Sequence, residues 1–172
     1  MESINNFQLK KIEILAYPDE LEKTLGVSEI INTLEKNFNS FLQEEESTKE
    51  TENIKDPELK ILRLIKLYIG KDRENIKNIT KGSSLYGFDC LTLAILICLL
   101  ANRKGYKVKI GRPDKISRYF HALIIKQDGK MFKVAGKSIN YDTKVMDIKE
   151  IYTRLKTTKP IVNFVNSIKG QF

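Results

Sequence analysis

Gly87-Phe88-Asp89-Cys90-Leu91-Thr92-Leu93-Ala94-Ile95-Leu96-Ile97-Cys98-Leu99-Leu100-Ala101-Asn102-Arg103-Lys104-Gly105 decides the fold of this chain. From Cys90 to Ala101 only Thr92 interrupts an apolar run. The run is shorter than the ~20 residues that span a bilayer, and it is apolar on every side, so it reads as a buried helix. Asn102-Arg-Lys-Gly105 is a helix stop with cations in the last turn. Lys81 to Gly87 reads as the loop that delivers Cys90 to the helix start, where the helix dipole favours a thiolate. Cys98, among Ile and Leu, reads as core. The two cysteines are separated by about 12 Å of helix rise, too far for a disulfide. Both read as free thiols, which fits a reducing compartment and a cytoplasmic location.

Downstream, Tyr106-Lys-Val-Lys-Ile110 alternates like a half-buried strand, and Gly111-Arg-Pro-Asp-Lys115 reads as a turn. Phe120 to Lys126 is a strand that carries His121, the only histidine. Asp128-Gly129 is a two-residue hairpin signal, and Lys130 to Val134 is the return strand. That turn sets His121 opposite Gly136. His121 shares a face with Leu123 and Ile125, with Ala122 and Ile124 opposite. Both faces are apolar, so a buried imidazole is expected, in need of a partner for which Cys90 is a candidate. Arg112, Arg118 and Tyr119 flank this site in sequence; they fit contacts with an anionic or polar substrate, but solvated loop residues are the favoured reading. Asp147 to Leu155 reads as a short amphipathic helix, and Ile161 to Val165 fits a last strand.

Upstream, residues 7–15 fit an alternating and a helical pattern equally. Tyr17-Pro18-Asp19-Glu20 is a helix start, and the apolar spacing from Leu21 to Leu42 fits one helix interrupted at Gly26, or two, with Ser28 as second cap. Residues 44–53 are acidic and lack apolar anchors, so they read as a mobile loop. Asp56-Pro57 opens another helix that Gly70 closes, and 72–80 fits a further short one. Helices followed by helix and strands make an α+β protein. The expected organisation is one domain over 1–172, with a helical segment over 1–80 and a Cys-helix-plus-sheet segment over 81–172.

With 172 residues the chain is long enough for one real core. Net charge is +8 but uneven: residues 1–56 hold 6 Lys/Arg and 13 Asp/Glu, residues 57–172 hold 24 and 9. The basic later segment admits an acidic partner or nucleic acid. Of the 30 cations, however, 24 are dispersed Lys and 6 are Arg, the residue that favours specific phosphate contacts, so nucleic acid is disfavoured. Two cysteines and one histidine do not make a standard structural zinc site, and no metal or other cofactor is expected. The N-terminal Met-Glu-Ser-Ile-Asn-Asn is polar, and no membrane segment is expected.

Gly87-Phe-Asp-Cys90, an apolar helix ending Leu100-Ala-Asn-Arg-Lys-Gly105, the strand from Tyr106, the His121-Ala122 pair and the Asp-Gly hairpin together resemble the transglutaminase-like superfamily of papain-like cysteine enzymes. The matching stretch runs from 87 to 134. The resemblance implies helices packed with a Cys-bearing central helix on a small antiparallel sheet. It implies Cys90 as nucleophile and His121 as general base, acting on an amide of a peptide or protein substrate. The Cys90 N–H would be one oxyanion donor, with Ser83, Ser84 or Tyr86 as candidates for the second. The family's aspartate would fall near Ala135 or Gly136, leaving Asp142, or alternatively Asn140, to orient the imidazole. The rival expectation is a degenerate, non-catalytic binding module on the same fold.

Overall fold

The computed structural model describes residues 17–115, 121–135 and 142–156. These residues form seven helices and a four-stranded antiparallel sheet, an α+β architecture. The helices are α1 (17–25), α2 (Ser28–Leu42), α3 (Glu45–Thr51), α4 (Pro57–Lys71), α5 (Arg73–Thr80), α6 (Cys90–Arg103) and α7 (148–156). The strands are β1 (Lys109–Pro113), β2 (Leu123–Ile125), β3 (Met131–Lys133) and β4 (Thr143–Val145), in the order β3-β2-β1-β4.

The decisive stretch becomes α6, which packs between α2 and α4 on one side and β1 and β2 on the other. Leu91, Thr92 and every residue from Ala94 to Asn102 are buried. That burial on all sides is what an all-round apolar helix demands. One hydrophobic cluster joins α6 to Ile31, Leu34 and Phe38 of α2, to Leu62 and Ile65 of α4, and to Ile110, Ile124 and Phe132 of the sheet. No helix among the described residues is long and apolar enough to cross a membrane.

Several helix boundaries follow the sequence signals. Gly26 takes φ +65 between α1 and α2, and Gly105 takes φ +89 after α6. Asp56 caps α4 by accepting from the Glu58 N–H at 3.1 Å. Others correct the expectation. Val27 is the N-cap of α2, while Ser28 donates to Glu22 Oε2 at 2.9 Å. Gly70 lies inside α4, which runs on to Lys71. The acidic stretch 44–53 contains a helix, α3, because Ser47 and Thr51, one turn apart, bury a small polar face. Their hydroxyls bond back to Glu44 O at 2.7 Å and Ser47 O at 3.1 Å, so burial leaves them satisfied.

In the sheet, Gly111-Arg112-Pro113 is strand rather than turn. Gly111 leaves room for its neighbours there: a Cβ would stand 2.8 Å from Ile125 Cδ1 and 3.0 Å from Leu123 Cδ1, so these side chains would have to shift. The hairpin loop has three residues, not two. Lys126 N–H donates to Lys130 O at 2.8 Å, and Gly129 takes the left-handed conformation, φ +85. The register is therefore Leu123↔Lys133 and Ile125↔Met131, one residue off the expected pairing. Residues 7–15, Arg118, Tyr119, Gly136, Asn140 and Ile161 to Val165 lie outside the described residues.

Candidate active site

The loop before α6 is wound tightly. Ser83 Oγ donates to Thr80 O at 2.6 Å and accepts from Leu85 N–H at 3.1 Å, while Leu85 anchors the loop in the core. Gly87 then takes φ +144 and Phe88 φ +55. A non-glycine residue in the left-handed region costs roughly 1 kcal/mol or more, and such strain concentrates at functional sites. The surroundings hold it in place. The Phe88 ring packs against the core and has the Arg73 guanidinium at 5.3 Å and Lys77 Nζ at 5.9 Å. The turn leads into Asp89 and Cys90 at the start of α6.

Asp89 is the N-cap of α6. Its Oδ1 accepts from the Thr92 N–H at 2.8 Å and from the Thr92 hydroxyl at 3.1 Å. Such a cap is worth about 1 kcal/mol. Asp89 therefore holds the helix start rather than an imidazole. The signal was present in the sequence as an Asp three residues before Thr92, directly ahead of an apolar run.

Cys90 is the first residue of α6 and is partly buried. Its sulfur lies against the backbone N–H of Ala122, so the structure places the thiol one peptide unit from His121. Burial pushes the thiol pKa up, and the Asp89 carboxylate adds to this. The N–H groups of Ala122, Leu91 and Cys90 pull the other way but do not prevail. The expected thiolate is thus corrected: the helix terminus supplies donors, yet desolvation outweighs them. His121 is exposed, against the expectation of a buried imidazole. Ala122, Leu123 and Ile124 behind it are buried, so the strand is covered on both faces as its sequence suggests.

The third position is the open one. Continuing the β2–β3 register sets His121 level with Ala135, which carries no polar group. Asp142 precedes β4, where its carbonyl accepts from the Asp114 N–H at 2.8 Å. Strand β1 lies between β2 and β4, and Pro113 pairs with Thr143. Two strand spacings, roughly 10 Å, therefore separate the backbones at His121 and Asp142.

Of the candidate second oxyanion donors, Ser83 is bound into its turn and Tyr86 is 49% exposed. Ser84 Oγ is buried without a hydrogen-bond partner among the described residues. Arg112 is not a solvated loop residue. It is buried, pairs with Glu150 of α7 and donates to Pro113 O at 2.8 Å, so its role is to dock α7 on the sheet. Among the described residues no three His, Cys, Asp or Glu side chains group as metal ligands.

Beside the helix start is a hollow of about 240 Å³ that sequence reasoning missed. Phe88, Leu93 and Val134 line one side, and Lys66, Gly70 and Arg73 the other. No periodic or motif signal marks it, because its walls come from separate elements. Comparison with protein-family models, with curated proteins and with solved structures finds no match for this chain.

Proposed function

We propose that this chain is a papain-like, transglutaminase-like domain that cleaves or transfers an acyl group at an amide bond of a peptide or protein substrate, through Cys90 and His121. The observation that carries the reading is the Cys90 sulfur lying against the Ala122 N–H, at the start of the strand that follows His121. His121 takes the thiol proton as the sulfur attacks the amide carbonyl, which suits a thiol held neutral by burial. The tetrahedral oxyanion accepts from the Cys90 N–H at the helix start. The imidazolium then protonates the leaving amine, giving a thioester that water or a second amine resolves. These steps need no cofactor. Two free thiols support a reducing, cytoplasmic setting.

A non-catalytic binding module on the same fold is the second reading, favoured by Ala135 at the acid's level. One experiment separates them. Iodoacetamide labelling of Cys90 is followed against pH in the wild type and in His121→Ala and Ala135→Asp. An enzyme shows labelling that depends on His121, so that His121→Ala loses roughly a hundredfold in rate and changes the pH profile. Ala135→Asp, which sets a carboxylate level with the imidazole, raises the rate about tenfold. Identical profiles in all three proteins would exclude a coupled Cys–His pair and leave the binding module.

A further inference from the structure

We propose that a basic-rimmed trough between α4 and β3 binds an extended acidic peptide and leads it to the Cys90 end of α6. Delivery to Cys90 rests on the function proposed above; the peptide-binding trough does not.

The trough is two hollows in line. The larger, about 880 Å³, lies among α2, α3, α4 and β3, with Phe41, Leu59, Leu67 and Phe132 as apolar lining. The smaller is the one that reaches Phe88, two residues before Cys90. Lys66 and Gly70 line both and form the join. Arg63, Lys66 and Gly70 fall at i, i+3 and i+7 on α4, one stripe about 10 Å long.

The charges around it are one-sided. Arg63, Lys66 and Lys133 line the larger hollow and Arg73 the smaller. None of these four has an ion-pair partner among the described residues. Lys71 is paired with Glu44 at 2.8 Å, and among the described lining side chains Glu50 is the single acidic one. Burial, Arg63 and Lys133 all pull the Lys66 pKa down, as expected where cations crowd without a counter-charge. An anionic ligand relieves that repulsion, and the apolar floor demands hydrophobic groups as well.

The backbone of β3 selects an extended peptide over other anionic amphiphiles. β3 is the end strand of the described sheet. The Lys126–Lys130 bond fixes the alternation, so the peptide groups of Met131 and Lys133 face away from β2. The Lys133 carbonyl already accepts from Lys66 Nζ at 3.3 Å on that side. A strand laid along β3 finds backbone partners there, with alternate side chains on the apolar floor and against the cations. An acidic–apolar alternation is the matching sequence.

Gly70 is the second sign. Glycine inside a helix is about 0.5–1 kcal/mol worse than alanine. Yet a Cβ on Gly70 would meet nothing within 4 Å. No packing requirement therefore keeps a side chain out, and any large side chain there would stand in the join of the two hollows.

The test uses the full chain and a short fluorescein-labelled peptide alternating glutamate with leucine, followed by anisotropy. Binding that weakens with salt, a lysine–leucine counterpart that does not bind, and a loss of about tenfold or more in Lys66→Glu and Gly70→Phe are expected. The two variants should melt as the wild type does. Cys90→Ala should bind unchanged, and bound peptide should slow iodoacetamide labelling of Cys90. Equal binding of the acidic and basic peptides, unchanged binding in both variants, or tighter binding of oligothymidylate or decanoate would overturn the trough proposal. If the peptide binds but Cys90 labelling ignores His121, the trough stands and the enzyme reading fails. If labelling depends on His121 but no peptide binds, the reverse holds.

Discussion

Cys90 and Cys98 lie two helical turns apart on α6 and meet opposite surroundings. Cys98 is wholly buried, its Sγ donates to Val108 O at 3.5 Å, and burial pushes its thiol up to about 12. Cys90 stands where the helix begins, against Ala122 just before β2, partly open, with three backbone N–H groups around its sulfur. Burial raises both thiols. Only at the helix start does a thiol have several backbone donors and a strained turn beside it, with the N–H of Ala122, the residue after His121, among the donors. Position along a helix, rather than residue type, separates a packing thiol from a candidate nucleophile.

The largest expected contrast is in labelling of the native protein. Iodoacetamide should modify Cys90 at least about a thousandfold faster than Cys98, because Cys98 is reached only through global unfolding, populated at about 10⁻³ or less. Comparable rates, read by peptide mass mapping, would break the comparison. A smaller effect lies in alkaline stability. Both thiols have folded-state pKa values above their unfolded ones, so the unfolded chain ionises first and stability falls as pH rises past about 8.5. The loss continues until the folded Cys98 value of about 12. Cys98→Ala should lose about 1 kcal/mol at neutral pH by leaving a small cavity, and should flatten this alkaline slope in urea titrations. An unchanged slope would place the titrating group elsewhere. The smallest effect is at Asp89→Asn, which keeps an N-cap side chain but removes the charge that raises the Cys90 thiol. Labelling of Cys90 at fixed pH should quicken by up to about fivefold with no change in melting temperature. Slower labelling would mean that Asp89 acts on Cys90 through the cap rather than through its charge.

The sequence disclosed what periodicity and caps encode. The span of α6, the break at Gly26, the Asp56-Pro57 start and the Gly105 stop are all local patterns. Helix α3 was hidden because its buried face is made of Ser47 and Thr51, which no hydrophobic pattern registers. Strand β1 lies three residues later than the alternation from Tyr106 to Ile110 predicts, because Gly111 and Pro113 look like turn residues. Gly111 is there instead to lie beneath Leu123 and Ile125. The three-residue hairpin loop moved His121 from Gly136 to Ala135, a one-residue slip that only the register could reveal. At the site, order and spacing single out Cys90 and the His121-Ala122 pair, and the Cys90 sulfur lies against the Ala122 N–H. The thiol's direction was not, since the competition between a helix dipole and burial is decided by packing.

The tip of the hairpin has a consequence for assembly. Lys126 Nζ, buried, bonds Asp56 Oδ2 at 2.6 Å and Asp128 Oδ2 at 3.3 Å, while the Glu58 carboxylate accepts from the Gln127 N–H at 3.0 Å. These links join the first turn of α4 to residues about seventy positions later in the chain. A chain cut at residue 80 would leave α6 without α2 and α4 on one flank and the hairpin without its anchor. The two pieces should each be largely unstructured alone and regain a cooperative melt only when mixed. Because closing so long a loop precedes the gain from its contacts, the intact chain should fold more slowly than a purely helical protein of its size.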